Sequence, residues 1–232
     1  MWSGDLFIGN CFALYTGEAD TNDFHHHVTY QLVICRQGNV HVFDHANNEV
    51  IAKTVLIKPL TGHSIQSNFP LTIIYIEPQS DLAFKLFKTS SLQSIASIDQ
   101  NELAVDLFLS HKQLIQSLSL LAPKPSQSID KRVLLAMQVL CEKPAETSIV
   151  EAAKACNLSE SRLRTIAREQ LGVPLATWHL WCKLQKSVTQ LQGGAKLLDA
   201  AISGGFSDQA HFNRTMRRMF GVSPSTAMNL LR

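Results

Sequence analysis

Three histidines and a glutamine in the first third of the chain have side chains that could bind a metal ion or line a polar pocket. His25 and His27 are separated by one residue, Gln31 follows them, and His63 comes later. Neutral imidazoles suit iron, nickel or zinc as ligands. The run His25-His26-His27 is equally typical of a polar loop. The residue types alone leave both interpretations open.

A second group of side chains, nearer the C-terminus, is of the kind that contacts DNA. Arginine makes bidentate hydrogen bonds to guanine, glutamine and asparagine do so to adenine, and further arginines bind phosphate. The first segment carries Ser161, Arg162, Arg164, Thr165 and Arg168. The second carries Gln209, His211, Asn213, Arg214, Arg217 and Arg218. A solvated helix face would explain either segment alone, but two segments at matched positions favour DNA binding.

The two segments belong to an internal repeat that places them on equivalent helices. The equivalent pairs, each 49 positions apart, are Ser159 and Asp208, Leu163 and Phe212, Ala167 and Met216, Leu171 and Phe220, and Gly172 and Gly221. Each copy predicts a short helix, a tight turn, an N-cap, a longer helix with one buried stripe, and a terminal glycine with a left-handed backbone. The repeat therefore predicts two helix-turn-helix units, at about 148–171 and 197–220.

A long helix between the copies sets their spacing. It is predicted over 175–192 and would be about 27 Å long at 1.5 Å per residue. With the widths of the units added, the two longer helices would lie near one DNA turn apart, about 34 Å. We therefore expect one chain to reach two consecutive major-groove segments. The other predicted helices are 129–142, 149–156 (opened by the capping box of Ser148 and Glu151), 160–171, 197–203, 208–220 and 224–231.

The first part of the chain predicts a β-domain. Between Phe24 and Pro78 the runs YQLVICR, NVHVFD, VIAKTVLIK and LTIIYIEP are separated by the turn-like QG, ANNE and PLTGH. This pattern is typical of a small antiparallel barrel or jelly roll. The predicted fold class is therefore α+β and multidomain, with an N-terminal antiparallel β-barrel, a helical linker and an all-α C-terminal domain.

The linker, residues 81–122, has helical spacing with leucines at seven-residue intervals over 103–121. One side of that helix is apolar. Packing against the chain's own β-domain explains this side, and so does pairing with a second subunit. The second interpretation predicts a homodimer through Leu107, Leu114, Leu118 and Leu121. The proline-containing segment APKPSQS (122–128) then ends the helix, so the predicted domains are 1–80, 81–122 and 129–232.

Length and charge support two parts with different partners. A chain of 232 residues, 45% hydrophobic and 17% charged, suits two modest globular cores. Residues 1–126 carry 7 basic and 11 acidic side chains, whereas residues 127–232 carry 14 and 8, giving net charges of −4 and +6. The basic part is expected to meet a polyanion.

The sequence shows no signal for a membrane or for export. No apolar run approaches the roughly 18 residues of a membrane span, and the N-terminus lacks the basic start and apolar stretch of a secretory signal. We therefore expect a cytoplasmic protein without membrane contact. The five cysteines are scattered and include no C-x-x-C pair, which predicts reduced buried thiols, with redox or thiol-metal sensing as the alternative.

The segment DAAISGGFSDQAHFNRTMRRMFGVSPSTA resembles the signature of the AraC/XylS family of transcription regulators, in which a GF-S-(D or S)-x-x-x-F-x-R core leads to FGxSP. The resemblance covers about 129–232 and implies two helix-turn-helix units joined by a long helix. Ala167 and Met216 stand where the family usually has phenylalanine, so the first unit is the weaker match. By position, the resemblance implies base contacts for Ser161, Arg164, Thr165, Gln209, His211 and Arg214. It implies phosphate contacts for Arg162, Arg168 and Arg217.

The segment HHHVTYQLV followed by QG resembles, more loosely, the start of the cupin-like domain that many AraC-type proteins carry. This resemblance implies an effector pocket lined by His25, His27, Tyr30, Gln31 and His63. Metal-binding cupins have H-x-H-x(3,4)-E with a later histidine, and Gln31 stands at the carboxylate position. We therefore expect no metal and no cofactor, with a metal-binding cupin as the alternative.

These observations together predict a bacterial-type, sequence-specific transcription regulator. No catalytic triad, phosphate-binding glycine loop or carboxylate pair indicates an enzyme. The expected partners are double-stranded DNA, RNA polymerase, a small-molecule effector and a second copy of the chain. The family resemblance favours an activator over a repressor, and control through protein contacts is the alternative to a small ligand.

Overall fold

The structure, a computed structural model, describes residues 2–20, 22–87, 93–99, 106, 109–121 and 125–226. The chain divides into two compact units. The first comprises residues 1–124 together with 217–232, and the second comprises residues 125–216. The strands of the described part all lie in the first unit.

Two antiparallel sheets form the first unit, as the predicted fold class requires. The strands are β1 Ser3–Ile8, β2 Phe12–Glu18, β3 Tyr30–Cys35, β4 Val40–Asp44, β5 Glu49–Ala52, β6 Thr54–Ile57, β7 His63–Gln66, β8 Leu71–Ile76 and β9 Ile95–Ser97. The larger sheet has the order β1-β2-β8-β3-β6-β9, and the smaller has the order β5-β4-β7. Residues 1–80 thus contain most of a cupin-like β-domain.

The strands begin earlier than the sequence predicts. β1 and β2 precede Phe24 and form a hairpin in which the N–H of Gly9 donates to the carbonyl of Phe12, at 2.9 Å. The predicted start of the β-region was wrong because β1 is an edge strand whose exposed Ser3 and Asp5 weaken its apolar pattern. The single run VIAKTVLIK is also divided at Lys53, and its halves join different sheets.

The central strand β3 separates an apolar face from a polar one. Because successive side chains on a strand point to opposite faces, Leu32 and Ile34 lie on one face and Gln31 and Val33 on the other. β3 pairs with β6 and β8, so all these side chains are buried. The polar face therefore carries Gln31 into the interior of the β-domain.

Helices α1 (Asp81–Phe87) and α2 (His111–Leu121) cover the apolar face of the larger sheet. Leu82 of α1 and Leu114 and Leu118 of α2 are buried in one cluster with strand residues that include Leu32 and Ile34. Burying a leucine side chain stabilises the fold by about 1.5–3 kcal/mol. The linker helices are therefore part of the packed first unit.

The prediction of a dimer surface on this helix is wrong for two of its leucines. Leu114 and Leu118 are 0% and 1% exposed, because they pack on the chain's own sheet and so have no surface left for a second subunit. Leu121 is 39% exposed, and Leu107 lies outside the described residues. Helix α2 begins at His111, several residues after the predicted start.

The second unit is helical. Its helices are α3 Lys131–Glu142, α4 Ile149–Ala155, α5 Glu160–Leu171, α6 Leu175–Gln192, α7 Leu197–Gly204 and α8 Gln209–Phe220, of which residues 217–220 belong to the first unit. These bounds confirm the six helices predicted between residues 129 and 220 to within two residues. Of the helix predicted over 224–231, only residues 224–226 are described, and they are helical.

Helix α6 forms the centre of the second unit. Trp178 and Trp181 are 2% and 1% exposed. Helix α7 approaches α6 closely because Gly204 has no side chain: a Cβ there would lie 1.9 Å from the Oγ of Ser187. Lys183 of α6 also donates to the carbonyl of Gly205 at 3.1 Å. The long helix thus holds the end of α7, where the second tight turn begins.

A disulfide joins Cys141 of α3 to Cys182 of α6, with 5.0 Å between their Cα atoms. The prediction of five reduced thiols was therefore wrong for this pair. The two cysteines are 41 residues apart in sequence and become neighbours only because α3 packs on α6. Cys11, Cys35 and Cys156 are free thiols.

None of the helices in the described part of the chain is both long enough and apolar enough to cross a membrane.

Candidate nucleic-acid interface and buried histidine cluster

Helices α4 and α5 form the first helix-turn-helix unit. The Oγ of Ser148 accepts from the N–H of Glu151, whose carboxylate in turn accepts from the N–H of Ser148, which is the predicted capping box. A short turn follows, with Asn157 at φ 53°. Ser159 then caps α5 by accepting from the N–H of Arg162 at 3.3 Å. Local hydrogen bonds therefore fix where α5 begins.

Helices α7 and α8 form the second helix-turn-helix unit in the same way. Gly205 ends α7 with a left-handed backbone at φ 89°, and buried Phe206 anchors the turn. Asp208 caps α8, where its Oδ1 accepts from the N–H of His211 at 2.6 Å. This hydrogen bond holds the pKa of the Asp208 carboxyl below its usual range. A carboxylate at this end also complements the helix dipole.

Each longer helix ends on its predicted glycine and buries its predicted stripe, except that Phe220 at the end of α8 is only partly buried. Gly172 and Gly221 have φ values of 72° and 68°, which L-residues with side chains rarely adopt. Ala167 and Met216, the two departures from the family pattern, are both buried. The smaller alanine and the flexible methionine thus occupy core positions beneath the two exposed faces.

The side chains predicted to contact bases lie on the faces opposite these stripes. Five of the six are exposed, and His211 is partly buried. The exposed members are Ser161, Arg164, Thr165, Gln209 and Arg214. Two members have local partners within α5: the Arg164 guanidinium contacts the Glu160 carboxylate at 2.5 Å, and the Thr165 hydroxyl donates to the Ser161 carbonyl at 3.0 Å.

The predicted phosphate contacts are also exposed. Arg162 and Arg168 lie on α5, and Arg217 lies in the last turn of α8. The sequence interpretation missed two neighbours that orient these faces. Glu160 binds Arg164, and its position four residues earlier could have revealed that ion pair. Ser207 lies 3.2 Å from the Nδ1 of His211, a contact that nothing in the sequence indicated.

In the β-domain, four of the five predicted effector-pocket residues form a buried polar cluster. His25, His27, Gln31 and His63 are each 2% exposed or less. We call these four residues the histidine cluster. Gln31 Oε1 lies 2.7 Å from His27 Nε2 and 2.8 Å from His63 Nε2. Tyr30 is not among them, because it points to the opposite face of β3 and packs on the apolar cluster.

Backbone pairing holds the histidine cluster together. His25 and His63 form an antiparallel bridge, with both N–H···O=C distances at 3.0 Å. The carbonyl of His27 accepts from the N–H of Leu60 at 2.7 Å. The segment before β3 and the start of β7 are thus fixed side by side, which places rings from two parts of the sequence next to each other.

Burial makes these imidazoles poor bases. Desolvation lowers the pKa of His25 to about 3 and that of His27 to about 4. It lowers the pKa of His63 well below its usual value, and the neighbouring histidines add to this effect. All three rings are therefore neutral near pH 7, and each keeps one nitrogen lone pair.

Fold and surface together define a two-part protein, a β-domain followed by a domain with two helix-turn-helix units. Residues 152–229 match a family model described as a helix-turn-helix domain. The arabinose operon regulatory protein of Escherichia coli is 31% identical over 104 residues, which are 42% of this chain and 34% of that protein. The transcriptional regulator MtrA of Neisseria gonorrhoeae is 30% identical over 97 residues, 41% of this chain and 32% of MtrA. The chain thus spans about a third of the length of these relatives.

Likeness to solved structures extends over both units. Apo ToxT of Vibrio cholerae aligns with a TM-score of 0.61 and 12% identity, covering 97% of this chain and 99% of ToxT. ToxT with a bound unsaturated fatty acid aligns with a TM-score of 0.57 and 13% identity, covering 99% and 98%. Both alignments show the same fold. The chain thus has a helix-turn-helix domain that resembles those of these regulators, preceded by a β-domain, and its whole fold is that of ToxT.

Proposed function

We propose that the protein is a sequence-specific DNA-binding transcription regulator that reads two consecutive major-groove segments with α5 and α8. The observation that carries this proposal is the presence of two equivalent capped helices, α5 and α8, each with a buried stripe and an exposed face that contains arginines. Regulators among the relatives, matched over the same part of the chain, support it.

The chemistry of the two faces fits separate tasks. Arg164 and Arg214 each have a planar guanidinium that can make two hydrogen bonds to guanine, and Gln209 can do so to adenine. Arg162, Arg168 and Arg217 would bind phosphates and set the register of the helices on the duplex. The net charge of +6 over residues 127–232 supplies the attraction.

Control would come from a small ligand in the β-domain. The histidine cluster is the candidate site, because it brings polar side chains from two parts of the sequence together in the interior of the β-domain. The fatty acid in one of the ToxT structures is a precedent for a ligand in this fold. Binding would shift the equilibrium between states that present the helix-turn-helix units differently.

Selection of bound sites from a random duplex pool tests the function. The full-length protein is expected to enrich a sequence with two half-sites about one helical turn apart. The double variant Arg164→Ala, Arg214→Ala is the matched control. Both side chains are exposed, so their removal should leave the buried stripes and the fold unchanged and take away only the proposed base contacts. A parent pool with no shared sequence, or with the same sequence as the control pool, would refute the proposal.

A further inference from the structure

The hydrogen bonds of the histidine cluster favour one tautomer of each ring. His25 Nδ1 lies 3.0 Å from the Asp23 carbonyl, His27 Nδ1 lies 2.9 Å from the Thr29 carbonyl, and His63 Nδ1 lies 2.8 Å from the Thr61 carbonyl. A carbonyl oxygen only accepts, so these contacts favour a proton on each Nδ1; at His27 the Thr29 hydroxyl, 3.0 Å from Nδ1, is the competing donor. In a neutral ring, Nε2 is then left with a lone pair and no proton.

With the Gln31 amide in this orientation, the unprotonated Nε2 atoms face one another without a donor between them. Gln31 Oε1, which is also only an acceptor, is the nearest partner of both His27 Nε2 and His63 Nε2. His25 Nε2 is buried and has no hydrogen-bond partner, and neither has the amide nitrogen of Gln31. Buried acceptors turned towards one another are unfavourable unless a positive centre lies between them.

The dimensions suit an ion better than an organic molecule. One ring nitrogen from each of the three histidines lies within 4.8 Å of the others. The ring centroids are 4.2 to 5.8 Å apart, which leaves no room for another ring among them. Nitrogens at about 2.1 Å from a tetrahedral zinc ion are roughly 3.4 Å apart, so binding needs inward ring movements of about 1 Å.

We propose that His25, His27 and His63 bind a divalent transition-metal ion through their Nε2 atoms, with Gln31 Oε1 beside it as the fourth ligand. Three imidazoles and one amide oxygen suit zinc, nickel, copper or iron better than calcium or magnesium. The carbonyls of Asp23, Thr29 and Thr61 would be the partners that orient metal-binding histidines. This inference rests on the proposed function in taking the histidine cluster as the effector site, and it makes the effector there a metal ion in place of an organic molecule.

Metal titration of the tag-free, full-length protein tests the site without DNA. After treatment with a chelator, cobalt(II) is added as a spectroscopic probe and zinc is then added in competition. The parent is expected to bind one cobalt ion per chain with the visible absorption of a tetrahedral site, and zinc is expected to displace it. Absence of such binding would overturn the proposal, because the Gln31 amide would then simply be turned to donate to His27 and His63.

Variants separate this site from adventitious binding at the surface. His63→Asn should weaken cobalt binding by at least about a hundredfold, whereas His41→Asn, at an exposed ring paired with Glu49, should leave it unchanged. Gln31→Glu should tighten binding, since it supplies a charged ligand, and it tests the proposal even if His63→Asn fails to fold. Equal effects of the two histidine variants, or weaker binding by Gln31→Glu, would overturn the assignment. DNA binding measured in chelator then shows separately whether the proposed function holds.

Discussion

The backbone N–H of Asp23 donates a hydrogen bond to the carbonyl of Gly221, with 3.1 Å between the two atoms. Three residues away along each segment, the N–H of His26 donates in the same way to the carbonyl of Arg218, also at 3.1 Å. Within the first unit, the residue that follows α8 is thus joined to the segment that carries His25. The carbonyl of Asp23 meanwhile orients the His25 ring.

Gly221→Ala should therefore disturb more than the backbone. The residue has φ 68°, and an added Cβ would lie 2.5 Å from the Asp23 carbonyl and 3.0 Å from His25 Nδ1. We expect a loss of about 1–2 kcal/mol from the left-handed conformation, with about 1–3 kcal/mol more from overpacking. Urea unfolding of the full-length protein measures the sum.

Gly172→Ala is the matched control. Gly172 has nearly the same backbone, at φ 72°, but nothing lies within 4 Å of an added Cβ. It should lose only the conformational part, about 1–2 kcal/mol. Equal losses in the two variants would show that the contact of Gly221 with the Asn22–His25 segment does not contribute.

Leu114→Ala should destabilise the protein by about 2–5 kcal/mol, because it opens a cavity in the core beneath α2. Leu120→Ala removes the same atoms from the same helix at a position 79% exposed, and should change the stability by less than about 0.5 kcal/mol. Thermal unfolding at several protein concentrations is the measurement. If Leu114 instead lay in a dimer contact, its effect would depend on protein concentration.

Features set by neighbouring residues were the ones the sequence predicted well. Ser159 begins α5 as its N-cap, and Gly172 ends it with a left-handed backbone. Both effects act within one turn of the helix. Asp208 and Gly221 mark the start and the end of α8 in the same way. The repeat of these signals was therefore enough to place both exposed faces and to identify the helices that carry them.

Features that depend on distant neighbours were beyond prediction from one sequence. The apolar side of α2 suited packing on a sheet and packing on a second subunit equally well. The structure shows that it packs on the apolar face of β3. Cys141 and Cys182 look unrelated until α3 lies on α6. The motif resemblance grouped Tyr30 with Gln31, but the alternation of β3 sends adjacent side chains to opposite faces.

Cys11 should be nearly inert to alkylation in the native protein. Burial, together with the nearby Glu77 carboxylate, raises the pKa of its thiol to about 12. Since the thiolate is the reactive form, we expect labelling by iodoacetamide at pH 8 to be at least about a hundredfold slower than for an exposed thiol of pKa about 8.5. The rate should rise with pH up to about 12, as long as the fold persists.

Peptide mass spectrometry after timed labelling measures the rate at Cys11. Glu77→Gln removes the negative charge and should lower the thiol pKa, so the same assay should show faster labelling. An unchanged rate in Glu77→Gln would leave burial as the sole cause. Rapid labelling of Cys11 in the parent would contradict the packing described for this thiol.

Arg214→Ala should remove sequence preference more than affinity. One bidentate contact to a base is worth about 1–3 kcal/mol of discrimination. The ratio of dissociation constants for a random and a selected duplex should therefore fall by roughly 5- to 150-fold. Lys53→Ala, at an exposed cation in the β-domain, is the control and should keep the parental ratio. An unchanged ratio in Arg214→Ala would show that this side chain does not read bases.

Arg217→Ala should weaken binding to all duplexes by about the same factor, because a phosphate contact carries no sequence information. Losing one phosphate contact should also reduce the slope of log affinity against log salt by about one. Fluorescence anisotropy at several salt concentrations, with a selected and a random duplex, measures both effects. The contrast with Arg214→Ala is decisive, since both arginines are exposed on α8 and differ only in position. If Arg217→Ala changed the preference and left the slope intact, the two roles would have to be exchanged.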